Sequence, residues 1–181
     1  MRRLVRIVSE QEYESWLAGQ KSTYLTSIRN SEEDPFKGQL LDVEIKARRA
    51  AFFSEVEKII KDENLIGKEA LRLDHIQFET DSDKLSSFSK YELDNLIELM
   101  VNNSTMSIEF SGHTDNTGDA AANLDLSNKR AAAVRDYLVS RGIPAERMKA
   151  VGYGQTRPVD TNDTEAGKQK NRRTELRILS K

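Results

Sequence analysis

The chain has 181 residues, 28 basic and 30 acidic side chains and a formal charge of −2, which suits one or two domains with a buried core and argues against a nucleic-acid polyanion as its main partner. With 32% charged and 37% apolar residues and only three prolines, it reads as globular, and no apolar run of 18 residues predicts a membrane-spanning helix. The absence of cysteine removes disulfides, thiolate metal sites, iron–sulfur clusters and cysteine nucleophiles, and two distant histidines leave little for imidazole chemistry.

The chain opens basic and then mildly apolar, but Ser9-Glu10-Gln11-Glu12 cuts that run off too soon for a signal peptide. Residues 4–8 read as a short strand and 10–18 as a helical turn or two. The polar stretch 20–38, holding Asn30-Ser31-Glu32-Glu33-Asp34-Pro35, reads as a linker. Leu41, Ile45, Phe52, Val56, Ile59 and Ile60 recur at helical spacing over 39–62. Glu44 with Arg48 and Glu57 with Lys61 lie four apart on its wet side. This spacing predicts a structural helix, packed on a neighbour or bridging two domains.

From Leu71 the rhythm changes. Residues 73–78 alternate like a half-buried strand, which makes His75 structural. Residues 87–102 carry Phe88, Tyr91, Leu93, Leu96, Ile97 and Met100 at helical periods, and 106–110 form a second alternating strand. A helix is predicted over 127–141, with Ser127 as N-cap, Ala131, Val134 and Leu138 inward, and Gly142 as its stop. Strands follow at 148–154 and 174–179. The order predicts an α+β or α/β sandwich with helices on one face of a mixed sheet. The expected organisation is an N-terminal segment and linker at 1–38, a spacer helix at 39–70 and one domain at 71–181.

The densest polar, glycine-containing stretch is 110–118, Phe-Ser-Gly-His-Thr-Asp-Asn-Thr-Gly, between a strand and a helix. Small residues and turn formers there build a loop whose backbone can approach a ligand closely. Asp115 is its only acid. Arg130, placed in the first turn of the predicted Ser127 helix, lies where free N–H groups and the helix dipole already favour an anion. Asp115 can hold an ammonium and Arg130 a carboxylate through a bidentate fork, the pair needed to grip a zwitterionic amino-acid end. The spacing fits equally well a turn-capping Asp115 salt-bridged to Arg130.

Other constellations carry less. Lys168, Lys170, Arg172, Arg173 and Arg177 lack interleaved aromatics, so a solvated loop with one arginine at a ligand's edge is the better account than a nucleic-acid site. His113 and Asp115 form only two-thirds of a metal site, so no metal is expected. Gly152-x-Gly154 lacks the rest of a dinucleotide loop and reads as a turn after a strand. No nucleophile–base arrangement is present, and neither catalysis nor a cofactor is expected.

Five segments resemble the peptidoglycan-binding domain of the outer membrane protein A family, shared with the peptidoglycan-associated lipoprotein and flagellar motor B proteins. They are Phe78-Glu-Thr-Asp-Ser-Asp-Lys-Leu85, Ile108-Glu-Phe-Ser-Gly-His-Thr-Asp-Asn-Thr-Gly118, Asn123-Leu-Asp-Leu-Ser-Asn-Lys-Arg-Ala-Ala-Ala-Val134, Gly152-Tyr-Gly-Gln-Thr-Arg-Pro158 and Asn171-Arg-Arg-Thr-Glu175. The resemblance implies an α+β, βαβαβ-β two-layer sandwich that binds the diaminopimelate of the peptide stem non-covalently. It implies a place on the periplasmic side of a Gram-negative envelope, tethering what it is attached to. By this likeness Asp115 and Arg130 do the gripping, Thr114, Asn116 and Thr117 line the same loop, and Arg172 borders the site. Family members often carry an aromatic where Ala122 stands, which weakens any expectation of stacking there.

Residues 1–17 (Met-Arg-Arg-Leu-Val-Arg-Ile-Val-Ser-Glu-Gln-Glu-Tyr-Glu-Ser-Trp-Leu) resemble the tail of the copper-binding domain of cytochrome c oxidase subunit II. The likeness implies that Met1 stands at the methionine-ligand position, with the copper-binding cysteines and histidines upstream. It makes a membrane respiratory complex an expected partner of this segment. Its rival is a structural piece of such a complex with vestigial wall binding. A copper centre cannot form within a cysteine-free chain in either case.

Overall fold

A computed structural model describes residues 42–79, 82–86 and 89–181, with the backbone alone at 42–45 and 90. The elements expected at 4–8 and 10–18, the linker, the start of the first helix with Leu41, the oxidase-like segment and Phe88 lie outside the described residues.

The first helix, α1 (Asp42–Lys61), turns Phe52, Val56 and Ile59 inward at helical spacing. After it comes β1 (Leu71–Arg72), a strand of two residues. The alternating strand expected at 73–78 does not form. Leu73 and Ile76 are buried, but the chain turns at Asp74 and His75, and only Phe78 re-enters a ladder, in a single bridge to Leu85. Ile76 and Phe78, two apart and both on the core, mimic alternation while the backbone turns ahead of them. His75 is half-buried in that turn, and burial pushes its imidazole below its ordinary pKa.

The second helix, α2 (Ser89–Asn102), precedes β2 (Ser107–His113). Arg147 closes the joint between them: its guanidinium donates to the backbone carbonyls of Met100, Asn103 and Met106. A cation at the C-terminal end of a helix meets carbonyls that have no partner in the helix. A long helix, α3 (Ala120–Ser140), leads through a short 3₁₀ turn (Ala145–Arg147) to β3 (Met148–Gly154), then α4 (Glu165–Asn171) and β4 (Arg173–Ser180).

The sheet order is β1-β4-β2-β3, with β2 and β3 parallel and the other pairs antiparallel. In β2 and β4, Ile108, Phe110, Leu176 and Ile178 are buried against the helices. They join Leu93, Leu96 and Met100 of α2, Val134 and Leu138 of α3, and Phe52, Val56 and Ile59 of α1 in one core. This is a two-layer α+β sandwich, as expected from the sequence.

Three local expectations give way. Helix α3 begins seven residues earlier than predicted, at Ala120, and Asp119 is its N-cap, accepting from the Ala122 N–H at 2.9 Å. Ser127 is fully buried inside the helix. Its hydroxyl donates to the Leu124 carbonyl and accepts the Gly154 N–H at 2.9 Å, while Asn128 Oδ1 accepts the Gly152 N–H at 2.7 Å. Gly152 and Gly154 accordingly belong to β3 and not to a turn. A Cβ at Gly152 would stand 2.3 Å from the Asn128 nitrogen, and one at Gly112 would stand 2.4 Å from the Ser127 carbonyl oxygen, so helix and sheet approach at glycine distance. Finally, the basic residues expected on a solvated loop ahead of the 174–179 strand lie instead on helix α4 and at its junction with β4. Thr164 caps α4 by accepting the Gly167 N–H.

Candidate functional site

Strand β2 delivers the 110–118 segment to one end of the sheet. His113 ends the strand, and Thr114 donates its N–H to the Gly154 carbonyl at 3.0 Å. The chain then turns, and Asp115 fixes the turn with its own side chain: Oδ1 accepts the Thr117 N–H at 2.8 Å. Thr114 Oγ1 donates to the Asp115 carbonyl, and Asn123 Nδ2 reaches from α3 to the Thr117 carbonyl at 3.0 Å and to Gln155. Thr114 and Asp115 are buried, whereas Asn116 and Thr117 are exposed.

The cation on Asp115 is Arg172, whose Nη1 donates to Oδ2 at 2.6 Å. Its Nη2 donates to Glu165 at 2.7 Å and to Gln169 at 2.6 Å, both on α4. Burial alone pushes the Asp115 carboxyl up. The Thr117 amide and the Arg172 guanidinium outweigh that and hold it below the ordinary carboxylate range. Arg172 is in turn stabilised in its charged form, first by Glu165 and then by Asp115.

Arg130 is not in a first turn. It is the eleventh residue of α3, so the helix-terminus argument for anion affinity does not apply to it. Its Nε donates to the Ser82 carbonyl at 3.0 Å, and its guanidinium carbon lies 5.2 Å from the centre of the Phe78 ring. Arg130 and Arg172 nevertheless line one cleft of about 310 Å³, together with Arg72, Phe78, His113 and Arg173. Arg72 is paired with Asp74 and Arg173 with Glu175, each at 2.6 Å. Glu175 is drawn down to about 2 by His113 and Arg173 against the opposing effect of burial. His113 Nε2 stands 3.5 Å from Glu175, and the ring stacks on Tyr153 with centroids 5.4 Å apart.

The cleft therefore carries several guanidinium groups and an apolar wall, with an ionised, largely buried carboxylate reached through Arg172. An amino-acid carboxylate suits the first feature and an ammonium the last. Sequence reasoning passed over Arg72, Phe78, Gln169 and Arg173. Adjacency to Arg172 could have pointed to Arg173 and membership of the 78–85 segment to Phe78, whereas no sequence signal marks Arg72 or Gln169. Among the described residues no three His, Asp or Glu side chains cluster as a metal site requires.

The sequence model of the OmpA family matches residues 77–172. Outer membrane porin F from Pseudomonas fluorescens is 39% identical over 103 residues, which is 57% of this chain and 32% of that protein. The peptidoglycan-associated lipoprotein of Rhizobium meliloti is 39% identical over 100 residues, 55% of this chain and 57% of its own. The chain thus matches a third to just over half of the length of these relatives. Among solved structures, the cell wall anchor of the T6SS from Pseudomonas aeruginosa superposes with a TM-score of 0.56 at 26% identity, covering 75% of this chain and 96% of that one.

Proposed function

The chain belongs to the OmpA family, and from that premise we propose that it binds peptidoglycan non-covalently through the diaminopimelate of the stem peptide. In this reading Asp115 takes the ligand ammonium and Arg130 its carboxylate, and the domain tethers whatever it is joined to on the periplasmic face of the envelope. The observation that carries it is the pairing of an ionised, nearly buried Asp115 with an arginine-lined cleft, the two joined through Arg172. A zwitterionic amino-acid end needs both halves, and each gains from charge-assisted hydrogen bonds. Two relatives named for a peptidoglycan-associated lipoprotein and a cell wall anchor support the same reading. Thr117 keeps the carboxylate aimed, and the exposed Asn116 and Thr117 rim the loop.

Sedimentation with purified sacculi tests the proposal. Wild type is expected in the pellet, with Asp115→Ala and Arg130→Ala left in the supernatant. Variants that pellet as well as wild type would place the binding elsewhere.

A further inference from the structure

Asp115 and Arg172 are unequal partners. The carboxylate is 9% exposed and pinned by the Thr117 amide, whereas the Arg172 side chain is 36% exposed and its Nη2 is held by Glu165 and Gln169. An ammonium approaching Oδ2 meets the Arg172 Nη1 already there at 2.6 Å. Two cations on one carboxylate oxygen repel each other, and the exposed one has somewhere to go, since Arg172 also lines the cleft with Arg130.

We propose that Arg172 is an exchangeable counterion: it leaves Asp115 when the ligand ammonium arrives and turns its fork onto the ligand carboxylate beside Arg130. This rests on the diaminopimelate reading above and adds a specificity rule to it. Charge around Asp115 is the same before and after exchange, so the carboxylate is never left buried and unpaired, the costly state for an ion at such a depth. With Nη2 still on Glu165, the displaced Nη1 regains a charge-assisted bond from the ligand only if the ligand end carries a free carboxylate. A ligand ending in a carboxamide evicts Arg172 from Asp115 and gives it no anion in return. The site thereby selects the free acid over the amidated stem, and Arg172 sets the margin.

The test uses two soluble muropeptides that differ only in whether the free diaminopimelate end is a carboxylate or a carboxamide. Wild type is expected to prefer the acid by roughly tenfold to a hundredfold, the range of one charge-assisted bond. In Arg172→Gln the preference is expected to narrow at least several-fold, because the amide gains affinity without its competitor while for the acid that gain is offset by the lost guanidinium–carboxylate bond. An unchanged acid-to-amide ratio in Arg172→Gln overturns the exchange. The side-chain nitrogen resonances of Arg172 in the wild-type protein give a readout that needs no variant: they are expected to move on adding the acid, and resonances that stay fixed at saturation overturn the exchange as well. Asp115→Asn separates this from the reading beneath it. If Asp115→Asn binds both muropeptides like wild type, the diaminopimelate site itself is misassigned and the exchange falls with it. If it loses both while the ratio in Arg172→Gln stays put, only the exchange falls.

Discussion

Single side chains in this fold carry opposite pH signatures. Glu92 on α2 is buried, and that burial, with Asp74 adding to it and Arg48 opposing, raises its carboxyl to about 7. The unfolded chain ionises this group near 4.5, so stability is lost as pH climbs from there to about 7. Glu92→Gln is expected to stabilise the protein at pH 8 by on the order of 2–3 kcal/mol, with the gain gone at pH 4, as urea unfolding at the two pH values will read. Glu175 behaves in reverse. Its folded value of about 2 lies below the unfolded one, so its contribution is present above about 4.5 and fades as pH falls towards 2. The stability gap between wild type and Glu175→Gln is therefore expected to close between pH 5 and pH 2 in the same assay. Neither signature was readable in the residue types alone, because one depends on how deeply the fold buries Glu92 and the other on the His113 that it brings to Glu175.

At the scale of elements, two features explain where sequence reading succeeded and where it stopped. The apolar stripe Ala131, Val134, Leu138 gave the inward face of α3, and the alternation in β3 and β4 gave those strands nearly to the residue. Ser127 misled because a serine ahead of an apolar stripe has the look of an N-cap, while its hydroxyl in fact serves the Gly154 amide from another element. Helix α4 was missed because its seven residues carry no apolar period. It is held by caps and by Asn171, fully buried, which accepts the Val159 and Asp160 amides and donates to the Asp160 carbonyl and Asn162. Asn171→Ala is expected to cost about 2–4 kcal/mol and to speed hydrogen exchange at Val159 and Asp160, since several buried backbone groups lose partners. The glycines of β2 and β3 set the spacing of the layers. Gly152→Ala is expected to destabilise by about 1–3 kcal/mol in a thermal melt, because the obstructing atoms are backbone and cannot turn aside. For the candidate site, the 110–118 loop stood out by composition, but the contact of Asp115 with an arginine 57 positions away is a product of topology.

Across the whole molecule, α1 shares its buried face with the sheet and the other helices, and Lys181 at the far end of the chain pairs with Glu63 just beyond it. Phe52→Ala is expected to lower stability by about 3–5 kcal/mol, the range for truncating a buried aromatic, as chemical unfolding of the full chain will measure. The borders of the sheet have a different consequence. One border is a strand of only two residues, and along the other the Gly152 and Gly154 amides are already occupied by Asn128 and Ser127 of α3. Among the described residues, neither border offers a neighbouring molecule a long ladder to extend. Copies brought close together then find no long row of free strand amides through which to zip into β-aggregates, so crowding alone leaves them separate molecules.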